Sequence, residues 1–356
     1  MKTIVLTGGG TAGHVTPNLA LLPALAKEGY AAVYIGGRNG IEKKLAASAG
    51  LEFYGISSGK LRRYIDPKNL TDAFRVVKGV ADASAAIGKI KPDVVFSKGG
   101  FVSVPVCLAA FLHGAPVVIH ESDLTPGLAN RLSFPFCKAA CVSFPETLER
   151  LPRRFSKDKS VYTGAPVRRE LFFGNREKGR VLCGFEGKKP VVLFAGGSSG
   201  SVRINKQIRA ALGELTRRYD VVHLCGRGNA VPANKRGYAQ FEYLNEELPH
   251  VLALADVAVS RAGSGAIFEL LALGKPMLLI PLSKKASRGD QILNAESFQK
   301  QGFALVLKEE DMNAQTLLDG IQSVYENRFQ YASVMKEAAP RGAVEAVVGV
   351  IKRFTR

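Results

Sequence analysis

Two glycine-rich loops, each directly behind an apolar run, limit what this chain can fold into. Gly8-Gly9-Gly10-Thr11-Ala12-Gly13-His14 follows Thr3-Ile4-Val5-Leu6, and Gly196-Gly197-Ser198-Ser199-Gly200 follows Val191-Val192-Leu193-Phe194-Ala195. Glycine between a strand and a helix lets backbone approach a ligand closely, and the helix aims its first N–H groups at an anion. One such loop is common. Two, at matching places in two halves, predict an α/β protein of two Rossmann-like domains with parallel sheets facing across a cleft. A length of 356 residues suits two domains better than one core.

The rest of the pattern repeats this division. Strand candidates fall at 3–7, 31–36, 52–56, 93–97, 116–120, 139–143 and 160–163, then at 190–195, 220–225, 240–244, 256–260, 276–281 and 302–307. Near-continuous apolar strands between amphipathic helical stretches predict parallel sheets covered on both faces. Gly164-Ala165-Pro166 and the polar run to Lys188-Lys189-Pro190 read as a linker or hinge. The division is therefore 1–163 and 164–340. A terminal amphipathic helix, 341–356, is expected to leave the second domain at Pro340-Arg341-Gly342 and pack back on the first.

Lys and Arg number 49 against 31 Asp and Glu, a formal charge of +18. Such a surface attracts polyanions: nucleic acid, an anionic membrane face or a phosphorylated substrate. No signal-peptide pattern opens the sequence and no apolar run is long enough to span a bilayer, so a cytoplasmic protein with peripheral membrane contact is expected. The five cysteines are scattered. Cys137 and Cys141 lack a companion Cys or His pair, which favours reduced thiols over zinc.

The loops admit several chemistries. Gly8, Gly10 and Gly13 satisfy Gly-x-Gly-x-x-Gly, but the second strand ends in Tyr34-Ile35-Gly36-Gly37-Arg38, without the acid that an NAD ribose needs. Arg38 keeps NADP open. Gly196, Ser198 and Gly200 spell the Gly-x-Ser-x-Gly of a hydrolase elbow, but Asp220 and His223 are only three residues apart and fit a triad poorly. Neither loop is a Walker site. After Val257–Ser260 comes Arg261-Ala262-Gly263-Ser264-Gly265-Ala266-Ile267-Phe268-Glu269, a small-residue turn opening a helix. That is another anion seat, with Glu269 placed for a ribose diol or, more simply, for the helix dipole.

Taken together, these residues resemble the MurG family. The resemblance rests on Gly8–His14 with Thr16-Pro17, His120-Glu121, Gly164-Ala165-Pro166-Val167-Arg168, Gly196-Gly197-Ser198 with Asn205, Arg261–Glu269, and Asp290-Gln291 with Asn294. It spans essentially the whole chain. It implies a GT-B fold and an inverting transfer, without a metal or other cofactor. N-acetylglucosamine would pass from UDP-N-acetylglucosamine to undecaprenyl-pyrophosphoryl-muramoyl-pentapeptide at the cytoplasmic face of a bacterial membrane. It further implies an acceptor-binding first domain and a donor-binding second one. By position, Thr11, Ala12 and Gly13 approach the donor, and Arg168 and Ser198 face its phosphate and sugar. Leu244 lies by the uracil. Ser264, Gly265, Ala266, Ile267, Phe268 and Glu269 hold phosphate and ribose, and Gln291 contacts the sugar. The chain departs from some members at Ser122-Asp123 and at Asp290.

Inversion requires a base near the acceptor hydroxyl and charge stabilisation for departing UDP. His14, at the tip of the first loop, is the base candidate and Glu121 its competitor. A lipid acceptor requires a membrane-facing surface. Lys60, Arg62, Arg63, Lys68, Arg75 and Lys78, interleaved with Leu61, Leu70, Phe74 and Val77, suit an anionic membrane. A second candidate is Arg131–Phe136 with Arg150, Arg153 and Arg154. Sugar transfer to diacylglycerol and UDP-N-acetylglucosamine 2-epimerisation are competing enzyme readings. A nucleic-acid-binding module would explain the charge but not the paired loops, and the chain shows no aromatic stacking platform, so no nucleic-acid partner is expected.

Overall fold

The computed structural model describes residues 1–59, 68–155, 158–197, 200–233, 235–284, 289–338 and 342–356, the side chains of 68–75 excepted. The chain divides into two compact units, residues 1–167 with 340–356, and residues 168–339.

The first unit is built on a seven-stranded, wholly parallel sheet. Its strands are β1 (Lys2–Thr7), β2 (Tyr30–Gly37), β3 (Glu52–Ile56), β4 (Val94–Ser97), β5 (Val117–Glu121), β6 (Ala139–Val142) and β7 (Ser160–Tyr162), in the order 3-2-1-4-5-6-7. Strand side chains alternate between faces. In β1, Val5 joins the core under the helices Lys68–Ile90 and Ser103–Leu112, while Ile4 and Leu6 join the opposite core. Because both faces are covered, consecutive residues of β1, β4 and β5 are apolar and fully buried.

The second unit repeats the plan with six parallel strands: β8 (Val191–Ala195), β9 (Asp220–Leu224), β10 (Tyr238–Phe241), β11 (Val257–Ser260), β12 (Met277–Leu279) and β13 (Ala304–Val306), in the order 10-9-8-11-12-13. In both sheets the winding reverses beside the first strand, between β1 and β4 and between β8 and β11. Loops at the carboxyl ends of those strands diverge to opposite faces and leave a crevice for a ligand. Both glycine loops start there.

The terminal helix Ala343–Phe354 belongs to the first unit. Val347, Val348, Val350 and Ile351 are buried in the same core as Ile4 and Leu6. Burial of that kind contributes about 1.5–3 kcal/mol per side chain as an upper figure. Polar contacts fix the register: Tyr30 Oη lies 2.7 Å from Thr355 Oγ1, Lys352 pairs with Glu28 at 2.6 Å, and Arg356 N–H donates to Asp93 O.

Three expectations need adjusting. The division falls at 167/168 rather than 163/164. Thr163 N–H still bonds to Val142 O and Gly164 O still accepts from His120 Nε2, so the segment remains tied to the first sheet. The stretch 164–189 is not a plain linker. Asn175 caps the helix Arg176–Leu182, and Gly174 and Gly179 let the chain lie against the carbonyls of Pro249 and His250 on the helix Leu248–Leu254. The strand expected at 240–244 is 238–241, which puts Leu244 in the following loop.

Candidate active site

The first glycine loop is held by its own unit. Gly10 has φ +86°, the left-handed region that favours glycine, and Thr11 returns to extended backbone before the short turn Ala12–His14. His14 Nδ1 lies 3.1 Å from Thr11 Oγ1. Beneath the loop, Tyr34 donates to Gly8 O at 2.8 Å, and Asn18 donates to Thr7 O and to the Tyr34 oxygen. Val15 is fully buried and anchors the turn. Gly10, Thr11 and Gly13 are exposed and Ala12 and His14 half-exposed, so this stretch is the part of the loop presented to solvent.

A second glycine pair, missed as a site feature in the sequence although plainly visible there, completes this end of the sheet. Gly99 and Gly100 follow β4 with φ +92° and +84°. Gly9 N–H donates to Gly99 O, and a Cβ on Gly100 would fall 2.3 Å from Gly9 O. The two loops therefore touch backbone to backbone across the reversal point.

Beside them lies a buried polar network. Lys98 is 2% exposed and donates from Nζ to His120 Nδ1 at 2.8 Å and to Ser122 Oγ. His120 Nε2–H donates to Gly164 O, which leaves Nδ1 as the acceptor. Burial pushes the Lys98 amine down to about 8, opposed by the charges of Glu121 and Asp123. Burial, then the Lys98 charge, hold the His120 imidazole well below its usual value.

Glu121 is differently placed from His14. Its carboxylate accepts from the N–H groups of Ser122, Asp123 and Gly127 and from Asn130 Nδ2 at 2.7–3.0 Å, and it is 4% exposed. Four donors on two oxygens close the loop that follows β5. Burial is the largest influence on its acidity and raises its pKa, as does the Asp123 charge, against the hydrogen bonds. Arg38, the residue that kept NADP open, donates to Gly55 O and pairs with Asp82 at 3.0 Å.

In the second unit Ser198 lies outside the described residues. Gly200 has φ +71°, and a Cβ there would fall 2.0 Å from Cys225 O. Ser201 then caps the helix Val202–Arg218 by accepting from Ile204 N–H. The hydrolase partners are engaged elsewhere. His223 contacts Asn205 Oδ1 through Nε2 and Tyr238 Oη through Nδ1, with its imidazole pushed down to about 4 by burial, and Asp220 sits 3.8 Å from Arg180.

After β11, Arg261 turns inward, and the sequence gives no sign of how much it joins. It bonds to Glu309, to Ser201 Oγ at 2.7 Å and to Ile280 O at 3.1 Å, while Glu309 also accepts from Ser283 N–H. Burial alone would raise the Glu309 pKa, but the Arg261 bond and charge hold it below the usual range. One buried ion pair thus joins the second glycine loop, the turn after β11 and the loop after β12.

The helix Ser264–Ala272 starts there, with Gly263 at its N-cap and no side-chain cap. Its first backbone N–H groups, at Ser264, Gly265 and Ala266, have no partner within the helix. Ile267 N–H returns to Gly263 O, and the Ile267 and Phe268 side chains are core, Phe268 meeting Phe298 edge-to-face. Further along, Glu269 pairs with Arg168 at 3.2 Å. Burial raises the Glu269 pKa against that pairing. Among the described residues, Arg168 Nε is buried without a hydrogen-bond partner. Gln291 holds Leu282 N–H through Oε1 with Nε2 near Gly263, and Asn294 donates to Ala262 O. Leu244 is buried behind β10. Among the described residues no group of three or more His, Cys, Asp or Glu gathers as a metal site.

The helix Ser264–Ala272 thus starts without a side-chain cap and carries Glu269 paired to Arg168, whose Nε has no hydrogen-bond partner among the described residues. Comparison with known proteins gives the family. Residues 4–142 match the glycosyltransferase family 28 N-terminal domain, and residues 191–353 match its C-terminal domain. The chain belongs to glycosyltransferase family 28. Within it, a Clostridium tetani protein is 53% identical over 99% of this chain and 98% of its own. A Geobacillus kaustophilus protein is 55% identical over 100% and 99%. Both carry the name UDP-N-acetylglucosamine--N-acetylmuramyl-(pentapeptide) pyrophosphoryl-undecaprenol N-acetylglucosamine transferase, so the chain is of the MurG group. The crystal structure of Acinetobacter baumannii MurG shares 25% identity over 99% of this chain and 100% of its own, with a TM-score of 0.75. The two parallel-sheet units are those of the GT-B fold.

Proposed function

We propose that this protein transfers N-acetylglucosamine from UDP-N-acetylglucosamine to the muramoyl C4 hydroxyl of undecaprenyl-pyrophosphoryl-muramoyl-pentapeptide, the step that yields the complete disaccharide lipid for peptidoglycan. The observation that carries the donor half is the Arg168–Glu269 pair beside the uncapped start of Ser264–Ala272. A ribose diol donates to the Glu269 carboxylate. The diphosphate accepts from the N–H groups of Ser264, Gly265 and Ala266, and Arg168 Nε is a donor already free of protein partners. As the sugar leaves, these groups stabilise the charge developing on UDP. Gln291, set at Gly263, reaches the sugar, and Leu244 serves the uracil.

The acceptor half rests on His14, on the exposed turn of the first unit. Its ring takes the proton of the attacking C4 hydroxyl, with Thr11 orienting it through Nδ1. Glu121, saturated by four donors, organises its loop and leaves the base role to His14. The test is a transfer assay with UDP-N-acetylglucosamine and a short-chain analogue of the muramoyl-pentapeptide lipid. Formation of the β-linked disaccharide lipid is expected, and donor hydrolysis or epimerisation without that product would refute the reading.

A lipid acceptor places the first unit against an anionic bilayer. No helix among the described residues is long and apolar enough to cross a membrane. Of the stretch 60–78, residues 60–67 and the side chains of 68–75 lie outside the described part, leaving exposed Val77 and Lys78. The second candidate is described. Leu128, Leu132, Phe111 and Leu112 are exposed, Phe111 meets Phe136 at 5.7 Å, and Arg131 stands among them. Arg154 does not join them, because it donates to Pro135 O and Cys137 O. Leu132→Asp with Phe111→Asp should release the protein from phosphatidylglycerol vesicles in flotation. Unchanged flotation would discard this surface.

A further inference from the structure

The end of β2 lacks a dinucleotide site's acid, but an acid stands five residues beyond it and is buried. Glu42, in the first turn of the helix Ile41–Ser48, is 2% exposed. Its Oε1 accepts from Gly37 N–H at 2.8 Å and its Oε2 from Gly10 N–H at 3.4 Å. Glycines wall it in. A Cβ on Gly9, Gly36, Gly37 or Gly40 would fall within 2.2–2.9 Å of its side chain. Four glycines, one from the first loop, two from the end of β2 and one from the turn after it, thus clear a chamber for one carboxylate.

That arrangement has an electrostatic meaning. A glycine loop behind a parallel strand draws an anion because its N–H groups converge. Here the protein supplies the anion itself. The Glu42 carboxylate takes the Gly10 N–H and is enclosed by the glycines around it. Gly10 is the last residue before Thr11-Ala12-Gly13-His14, and its left-handed conformation sets the direction in which that turn leaves. Holding Gly10 N–H therefore holds the start of the turn that carries His14.

We propose that Glu42 is a positioning residue for sugar transfer, fixing the His14 turn through the Gly10 N–H. The proposal rests on the reading of His14 as the base. Glu42 touches no substrate. Its action is on the placement of the His14 ring, where a displacement near 1 Å can reduce a rate by about 10²-fold.

The test is a double-mutant cycle on the full chain with Glu42→Gln, His14→Ala and the combination, assayed by transfer to the short-chain lipid analogue. Gln keeps the shape but presents an amide donor where both partners are N–H donors. The expected result is a kcat reduced by about 10²-fold in Glu42→Gln with the KM for UDP-N-acetylglucosamine unchanged. In the His14→Ala background the same change should lower kcat by less than about threefold, because its route is already gone. A wild-type kcat in Glu42→Gln, or an equal loss in both backgrounds, would overturn the proposal while leaving His14 in place. A wild-type kcat in His14→Ala would instead remove the base reading, and the proposal with it. Glu42→Asp keeps the charge but is one methylene too short to reach both N–H groups, and should show the same kcat loss. If both variants lose the cooperative melting of the first unit, Glu42 is a stability residue only and the proposal fails.

Discussion

The two units wind their sheets in the same order and put glycine loops at the same reversal point, yet they treat the resulting anion seat in opposite ways. In the first, Glu42 fills the chamber behind the loop, and the loop's exposed end carries a histidine. In the second, the helix start after Gly263, behind β11 rather than β8, has no side-chain cap, and Glu269 on that helix pairs with Arg168. One loop is closed with a built-in carboxylate; the other helix start has no side-chain cap and is the place proposed for the donor's diphosphate. On the proposed reading, the same fold serves general-base chemistry in one unit and leaving-group stabilisation in the other. What decides between them is where a single carboxylate sits relative to the loop.

The largest effect expected on this contrast comes from Arg261. Removing one partner of its buried ion pair with Glu309 strands a charge, at a cost of about 3–5 kcal/mol. Arg261→Ala should raise hydrogen exchange throughout the second unit and leave the first unchanged, and uniform protection in both would show that the pair does not hold the donor seat together. Next in size is Glu269→Gln, which weakens a charged acceptor for the ribose. The loss expected is about 10- to 100-fold in UDP affinity by calorimetry. An unaltered affinity would move the ribose elsewhere.

The smallest effect is on pH dependence, and each unit carries one source of it. Burial pushes Lys98 in the first unit and Lys275 in the second down to about 8. An unfolded lysine titrates near pH ~10.4, so between about 8 and that value the unfolded chain holds more protons than the folded one. Stability therefore rises with pH through this window, as the penalty for a buried ammonium is relieved. Denaturation midpoints should climb from pH 8 to 9.5, and Lys98→Met with Lys275→Met should flatten the climb. A climb that persists in the double variant would assign it to other groups.

Much of this was legible in the residues. The thirteen strands among the described residues overlap the expected runs, and central ones such as β4, β8 and β11 are nearly all apolar, because a strand covered on both faces leaves little room for polar interruption. The terminal helix announces itself through Val344, Val347, Val348 and Ile351, one apolar stripe after a glycine break. Sequence spacing does not show which way an acid turns. Glu121 reads as a candidate base, yet its carboxylate is enclosed by N–H donors of the loop that follows it, and Glu42, unremarked in the sequence, turns to the N–H groups of Gly37 and Gly10. Arg261 likewise reads as part of an anion seat and proves to be a buried tie to Glu309, 48 residues on. The polar stretch 164–189 looks like a linker because its contacts are backbone carbonyls of Pro249 and His250, which carry no sequence signature.

The contrast between a filled seat and an open one is tested most directly by titrating UDP into the full-length Glu42→Gln and Glu269→Gln proteins side by side. The account predicts wild-type UDP affinity for Glu42→Gln and a marked loss for Glu269→Gln. Equal losses in the two variants, or a loss confined to Glu42→Gln, would contradict it.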